Sequence, residues 1–191
     1  MLKQSTIDIL IPVYNEESYI ENCLRTVCDF EVPKNIEINI FLIDGGSNDM
    51  TTNVIEKFIR KKQNFFLLKN IHKTPAHAMN IGIKNSHGKF VMRLDAHSLY
   101  PKNYLKLCYE TMQNVKADNI GGLIQTLPGA DTYGAQVVQA LTTHPFGVGD
   151  SGFRTNLSSG YVDTVPFGFF KRNIFKKIGL FNELLVRAQD Y

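Results

Sequence analysis

The sequence predicts an α/β domain built on a mostly parallel central sheet flanked by helices. Two observations carry this. The first two thirds of the chain alternate β-rich runs with amphipathic helical patterns, a rhythm that calls for right-handed crossovers between parallel strands. The run Ile36 to Ile43 is nearly continuous in apolar residues, as a strand covered on both faces must be. A length of 191 residues, 43% of them hydrophobic, suits one such domain and fits two poorly.

Each element follows from its own pattern. Thr6 to Val13 is β-rich and closes at Pro12 and the Tyr14-Asn15 turn. Asn15 is placed to cap the next helix, with Glu16 and Glu17 in a first turn that favours negative charge. Ile20, Cys23, Leu24 and Val27 give that helix one apolar face. After Ile36 to Ile43 comes Asp44-Gly45-Gly46-Ser47-Asn48-Asp49, then a helix with Val54, Ile55, Phe58 and Ile59 inward. Phe65 to Leu68 is a third strand, Pro75 to Ile83 a helix and Phe90 to Leu94 a fourth strand. A helix with Tyr104, Leu105, Cys108 and Met112 inward leads to an expected strand over Asn119 to Gln125. Beyond it the chain is rich in Gly, Pro, Thr and Ser, with a helix expected from about Tyr133 to Leu141. A last strand is expected over Tyr161 to Val165, and then a helix with Ile174, Phe175 and Ile178, capped by Gly179.

Composition narrows the function. The net charge of +3 comes from scattered Lys and Arg. The densest run, Arg60-Lys61-Lys62, falls at a helix end, where cations oppose the dipole, so it reads as solvated and not as a nucleic-acid footprint. Cys23, Cys28 and Cys108 form no CxxC pair, which predicts neither a disulfide framework nor a zinc site and suits a reducing compartment. The N-terminus runs straight into a strand without a signal peptide, and no stretch approaches the ~20 apolar residues of a membrane span. The expected location is the cytoplasm or the inner face of the cytoplasmic membrane. Any membrane contact is expected to be peripheral, through sequence beyond residue 191.

Ligands of parallel sheets bind beyond the carboxyl ends of the strands, where Asn15, Asp44 and Asp95 fall. In Arg93-Leu94-Asp95-Ala96-His97, a carboxylate and an imidazole two apart on an extended segment share one side, so both can reach one divalent ion. A departing diphosphate calls for such an ion. Alone, such a pair is usually just polar loop residues; its position at the sheet's carboxyl edge, on the strand after a helix with Asn80-Ile81-Gly82, favours the ligand reading. Asp44, ending a buried strand before Gly45-Gly46, can accept from a base imide or a ribose hydroxyl, or can simply form the turn. Asp49 reads better as a helix cap. No GxGxxG, Walker A, GxSxG or HExxH run is present.

Ile9-Leu10-Ile11-Pro12-Val13-Tyr14-Asn15-Glu16, then Leu42-Ile43-Asp44-Gly45-Gly46-Ser47-Asn48-Asp49-Met50-Thr51, then Asp95-Ala96-His97 resembles the family 2 glycosyltransferases. The resemblance implies their GT-A fold, the Rossmann-like nucleotide-diphospho-sugar transferase fold. Arg93 to His97, Pro145-Phe146-Gly147-Val148-Gly149 and Val165-Pro166-Phe167-Gly168 are similar to the branch that builds bacterial exopolysaccharides such as succinoglycan. The match runs in order over essentially the whole chain.

The resemblance implies an inverting, metal-dependent transfer from a nucleotide-diphospho-sugar, expected to be a UDP-sugar, to a saccharide or lipid-linked acceptor. Residues 1–191 would be one catalytic domain that stops short of its own C-terminal end. Residues 1–125 would form the nucleotide-sugar-binding half and 126–191 the acceptor-side half. Pro12, Tyr14 and Glu16 would line the nucleoside pocket, Asp44 would bind base or ribose, and Lys73 and Asn80 would approach the base and sugar-phosphate. Asp95 and His97 would hold the diphosphate through Mn2+ or Mg2+, the imidazole favouring manganese. Asp190 falls where the family carries its catalytic base, with Asp163 and Asp150 the next candidates. Two positions depart from the family: Gly45 stands where a second Asp is common, and Gln189 where a Glu precedes the base. Two other readings remain, a sugar nucleotidyltransferase and a non-catalytic nucleotide-sugar-binding module. The first would normally carry a Gly-rich basic loop after the first strand, and here that loop reads Tyr14-Asn15-Glu16-Glu17.

Overall fold

A computed structural model describes residues 5–149, 152–154, 159–162 and 164–185. They fall into two compact units, one of residues 5–120 and 167–185, the other of the described residues in 121–166.

The first unit is a six-stranded sheet with helices on both faces. Its strands are β1 (Ser5–Val13), β2 (Ile36–Asp44), β3 (Phe65–Lys69), β4 (Phe90–Arg93), β5 (Asn119–Ile120) and β6 (Phe169–Lys171), in the order β3-β2-β1-β4-β6-β5. The first four are mutually parallel; β6 runs antiparallel to both β4 and β5. β1 is central and pairs along its whole length with β2, Ser5 opposite Ile36 and Val13 opposite Asp44.

Alternation along β1 divides the core. Ile7, Ile9, Ile11 and Val13 face α1 (Ile20–Cys28), α2 (Thr51–Ile59) and α4 (Tyr104–Asn114) through Ile20, Leu24, Ile55, Leu105 and Met112. On the other face Leu10, Phe41, Ile43 and Val91 meet Ala78, Met79 and Ile83 of α3 (Pro75–Asn85), with Phe175 of α7 (Ile174–Ile178) packed beside them. Gly82 sets how closely α3 approaches: a Cβ there would stand 2.9 Å from both Leu10 methyls. Cys23 and Cys108 are buried in these helix faces, and burial, with Asp95 and Glu16 adding, pushes the Cys23 thiol up to about 12.

The periodic elements lie where the sequence places them; four details differ. The strand expected over Asn119 to Gln125 stops at Ile120, because Gly121 and Gly122 offer no side chains to pack. No strand forms at the described residues of Tyr161 to Val165, where Tyr161 and Val162 are exposed; the return strand is β6, whose Phe169 is fully buried. α1 begins only at Ile20, so Asn15 does not cap it and Glu16 and Glu17 precede it; Glu21 occupies the first turn. Asn15 instead adopts φ 56° and turns its side chain to the β2–α2 loop. Asp49 acts much as the cap reading expects, its Oδ1 accepting from Thr51 N at 3.0 Å, although Met50 occupies the N-cap position.

In the second unit, α5 (Tyr133–Thr143) and the short α6 (Pro145–Val148) bury no residue fully. Thr132 caps α5, and the Gln139 amide donates to Thr126 O at 2.8 Å. No helix among the described residues is long and apolar enough to cross a membrane.

A buried ion pair holds the first unit together. Asp8, on β1, is fully buried. Its Oδ2 accepts from Arg172, just after β6, at 2.8 Å and from Gly88 N, and its Oδ1 accepts from Asn39 of β2 at 3.1 Å. Arg172 also donates to Ile83 O at 2.9 Å, to Ser86 Oγ at 2.7 Å and to Gly88 O. Burial pulls the guanidinium below its ordinary value and Asp8 opposes that shift. Asp8→Ala would leave Arg172 facing an apolar gap and Gly88 N without its acceptor. Removing one partner of such a pair typically costs about 3–5 kcal/mol, which urea unfolding would read as a lowered midpoint. A wild-type midpoint would mean that the carbonyl and hydroxyl partners satisfy Arg172 by themselves.

Candidate functional site

At the carboxyl ends of β1 and β4 a cleft of about 190 Å³ opens. Three segments far apart in sequence line it: Pro12, Tyr14 and Glu16 leaving β1; Asn70, Lys73 and Thr74 before α3; and Arg93, Asp95 and His97 leaving β4. Two loops hold its rim together by hydrogen bonds that do not belong to any ladder. Asn15 N donates to Ser47 Oγ, Glu16 N to Thr51 Oγ1 and Glu17 N to Asp49 Oδ2; in return Asn48 N donates to Asn15 Oδ1 and Met50 N to Glu17 Oε2.

Lys73 enters the cleft from a strained turn. Its φ of 63° is left-handed, at a cost of roughly 1–2 kcal/mol for a residue with a Cβ. Asn70, 1% exposed, holds the turn by donating to Thr74 O at 3.0 Å and accepting from His72 N at 3.0 Å. The Lys73 ammonium lies 5.7 Å from the Tyr14 ring centroid. A Cβ on Gly45 would stand 3.3 Å from the Tyr14 ring and 3.4 Å from Lys73 Cα. An Asp there would crowd both, so glycine at this position goes with the Tyr14–Lys73 contact.

Asp95 follows β4, and the chain turns at Ala96-His97 instead of continuing extended. The two side chains therefore share the cleft by way of a bend, not by strand alternation. Tyr100 fixes the Asp95 backbone, its hydroxyl accepting from Asp95 N at 2.8 Å and donating to Asp95 O at 3.1 Å; burial, then Cys23 and Asp95, raise the phenol above its usual value and keep it a donor. Asp95 Oδ1 lies 3.4 Å from Arg93 Nη2, and His97 Nδ1 lies 2.8 Å from Glu16 Oε1. Carboxylate and imidazole together suit a borderline divalent cation. Among the described residues no three His, Cys, Asp or Glu side chains form a set that could hold an ion alone.

The remaining candidates lie elsewhere. Asp44 lines a second cavity of about 370 Å³ with Thr52, Glu56 and Lys69 over Leu67 and Leu68. Its carboxylate is taken up by its own turn, accepting from Gly46 N at 3.0 Å, Ser47 N at 3.2 Å and Ser47 Oγ at 2.6 Å. Asn80, 3% exposed, lines neither cavity. It accepts from Phe181 N at 2.9 Å and donates to Phe181 O at 2.9 Å and Glu183 Oε1 at 2.8 Å, and that bond is the first reason the Glu183 carboxyl lies below its ordinary value. Asp190, Asp163 and Asp150 lie outside the described residues. Asn70 and Thr74 were not foreseen, because the Lys69 to Thr74 turn carries no periodicity. Arg93 was visible in its motif but had no role, since its contact with Asp95 depends on the bend.

A family model described as glycosyl transferase family 2 matches residues 8–179. The chain is 32% identical over 195 residues to a dolichyl N-acetyl-alpha-D-glucosaminyl phosphate 3-beta-D-2,3-diacetamido-2,3-dideoxy-beta-D-glucuronosyltransferase of Methanococcus voltae, covering 97% of this chain and 59% of that protein. It is 25% identical over 184 residues to the succinoglycan biosynthesis protein ExoA of Rhizobium meliloti, covering 95% of this chain and 54% of that protein. Among solved structures it resembles S. aureus TarS 1–349 in complex with UDP, with a TM-score of 0.70 and 23% identity over 97% of this chain and 52% of that one. A mannosyltransferase of Pyrobaculum calidifontis in complex with GDP-Man and Mn2+ gives a TM-score of 0.70 at 19% identity, over 96% of this chain and 49% of that one. The fold is GT-A.

Asp44→Ala removes the acceptor from Gly46 N and Ser47, which are exposed and half-buried, so water replaces it in part and the loss is about 0.5–1.5 kcal/mol. The expected result is a lowered urea midpoint with the m-value unchanged. Unaltered stability would show that the 45–51 loop holds its shape through the Asn15 to Glu17 contacts alone.

Proposed function

Because the chain belongs to glycosyl transferase family 2, we propose that it binds a nucleotide-diphospho-sugar, a UDP-sugar first, at the carboxyl edge of its sheet. It passes the sugar, with inversion, to a saccharide or lipid-linked saccharide in the building of a cell-surface or extracellular polysaccharide. The observation that carries this reading is the convergence of Tyr14, Lys73, Arg93, Asp95 and His97 on one cleft. Tyr14 offers a ring to the nucleoside, Lys73 and Arg93 offer cations to phosphate, and Asp95 and His97 offer donors to a divalent cation, manganese first. Solved relatives of the same fold hold UDP, UDP-GlcNAc, or GDP-Man with Mn2+. The Methanococcus and Rhizobium proteins bear the names of a dolichyl-phosphate-linked saccharide transferase and a succinoglycan biosynthesis protein.

The proposed chemistry is direct displacement at the anomeric carbon. Asp190 takes the proton of the acceptor hydroxyl, whose oxygen attacks on the face opposite the diphosphate. The carbon–oxygen bond to the diphosphate breaks as the new glycosidic bond forms, and the diphosphate departs with the electron pair. A bound divalent cation would supply charge neutralisation to that leaving group. Lys73 and Arg93 orient it. Asp44, whose carboxylate is already engaged by Gly46 and Ser47, would serve the nucleoside end by shaping the 45–51 loop.

The decisive assay incubates the protein with Mn2+ and a panel of UDP- and GDP-sugars. Release of nucleoside diphosphate is expected; pyrophosphate would indicate nucleotidyl transfer, and binding without turnover a non-catalytic module. By calorimetry, chelator is expected to weaken UDP far more than uridine, because only the diphosphate meets the cation. Equal loss for both ligands would remove Asp95 and His97 from metal binding. In a protein of its relatives' full length, Asp190→Asn should lower sugar transfer by about 10²–10⁴-fold while leaving UDP-sugar affinity nearly unchanged. Transfer at the wild-type rate would move the base elsewhere, with Asp163 and Asp150 next.

A further inference from the structure

We propose that Glu16 is a positioning residue that acts through His97, fixing the imidazole so that Nε2 offers its lone pair to the divalent cation. This rests on the diphosphate–cation reading above and gives Glu16 a task beyond lining a nucleoside pocket.

Glu16 is held from both sides. Its N–H donates to Thr51 Oγ1 at 2.7 Å, and Thr51 is fully buried. Its carbonyl accepts from Tyr19 N and Ile20 N, both at 2.9 Å. The side chain thus starts from a fixed point at the head of α1 and reaches across the cleft. The carboxylate, whose side chain is 17% exposed, meets Nδ1 of a ring that is 57% exposed, at 2.8 Å. An ionised carboxylate only accepts, so in a neutral ring the proton sits on Nδ1 and Nε2 is left unprotonated. Asp95 does not supply this contact, since its Oδ1 faces Arg93. Imidazoles that ligate metals characteristically donate their second N–H to a carboxylate, which fixes the ring and makes the ligating nitrogen more basic. The largely exposed His97 ring would otherwise sample rotamers and both tautomers. Glu16 removes that freedom before the cation arrives.

The test is a double-mutant cycle on Mn2+ affinity, read by water-proton relaxation with UDP present. Glu16→Ala should weaken Mn2+ by about 10–100-fold, and should add nothing in a His97→Ala background. Glu16→Gln keeps an acceptor at the same reach, so its loss should be smaller and should also vanish in that background. It carries the test if Glu16→Ala does not fold. Losses that multiply would overturn the inference, because Glu16 would then touch the ion or the nucleotide itself. If the wild type does not bind Mn2+ at all, the parent reading fails, and nitrogen-detected NMR of the metal-free His97 ring decides this one alone. An Nδ1–H tautomer that is lost in Glu16→Ala supports it; a tautomer indifferent to Glu16 overturns it.

Discussion

The buried pair of Asp8 and Arg172 is the constraint on which the first unit depends. A carboxylate with no solvent exposure on the central strand must be paired, and its partner comes from 164 residues away. Arg172 in turn takes carbonyls and a hydroxyl from the end of α3 and the loop before β4. One guanidinium thereby ties β1, α3, β4 and the returning β6 to a single point. This knot lies toward the amino end of β1, and the cleft opens at the carboxyl end. The residues that hold the fold are therefore separate from those that would meet ligand, and the cleft can carry strain without loosening the sheet.

At the cleft end, order comes from loops that hold one another. The sheet sets Val13 opposite Asp44 and Arg93 opposite Leu10, three residues earlier on β1, and the ladders end there. What continues is the exchange between Asn15 to Glu17 and Ser47 to Thr51, in which side chains of each loop satisfy backbone of the other. Asp44 shapes the second loop from within by accepting from Gly46 and Ser47. Asn80 performs a similar task at α3, where both atoms of its amide bind the Phe181 backbone. Polar residues near a site thus divide into those that face the cleft and those that build it, and Asn80 belongs with the builders.

This division marks how far the sequence could be read. Strands β1 and β2 and the helices with i, i+3, i+4 faces were legible because burial of a whole face imposes a period. Asp95 and His97 were legible because their motif lies at a strand end, and parallel sheets bring strand ends together; Tyr14 and Lys73 came from the family resemblance. Asp8 went unremarked because one carboxylate in an apolar run has no period, and its partner lies at the other end of the chain. β5 was drawn too long and β6 misplaced because two- and three-residue strands leave no alternation to count. The bend at Ala96-His97 was invisible for a similar reason: strand alternation and a turn both put two residues on one side. The pairing of Glu16 with His97 joins residues 81 apart, and no local pattern announces it.

The charge around the cleft bears on how ligand and cation depend on each other. Lys73 and Arg93 contribute positive charge, Glu16 and Asp95 negative charge. A diphosphate entering without a cation would gain from the first pair and be repelled by the second, leaving little net attraction. On the proposed reading a cation entering alone would find Asp95 and His97 and otherwise water. With both bound, the cation would on that reading screen the carboxylates from the phosphates, and the phosphates would replace part of the cation's water. On the proposed reading the two bind with positive coupling, and by linkage each raises the affinity of the other by the same factor. The same arithmetic gives a physical reason for the acidic Tyr14-Asn15-Glu16-Glu17 loop, where a basic loop would hold phosphate without a metal. Glu16 meets His97 and Glu17 accepts from Met50 N, so on that reading the loop would serve the cation first and the phosphate through it.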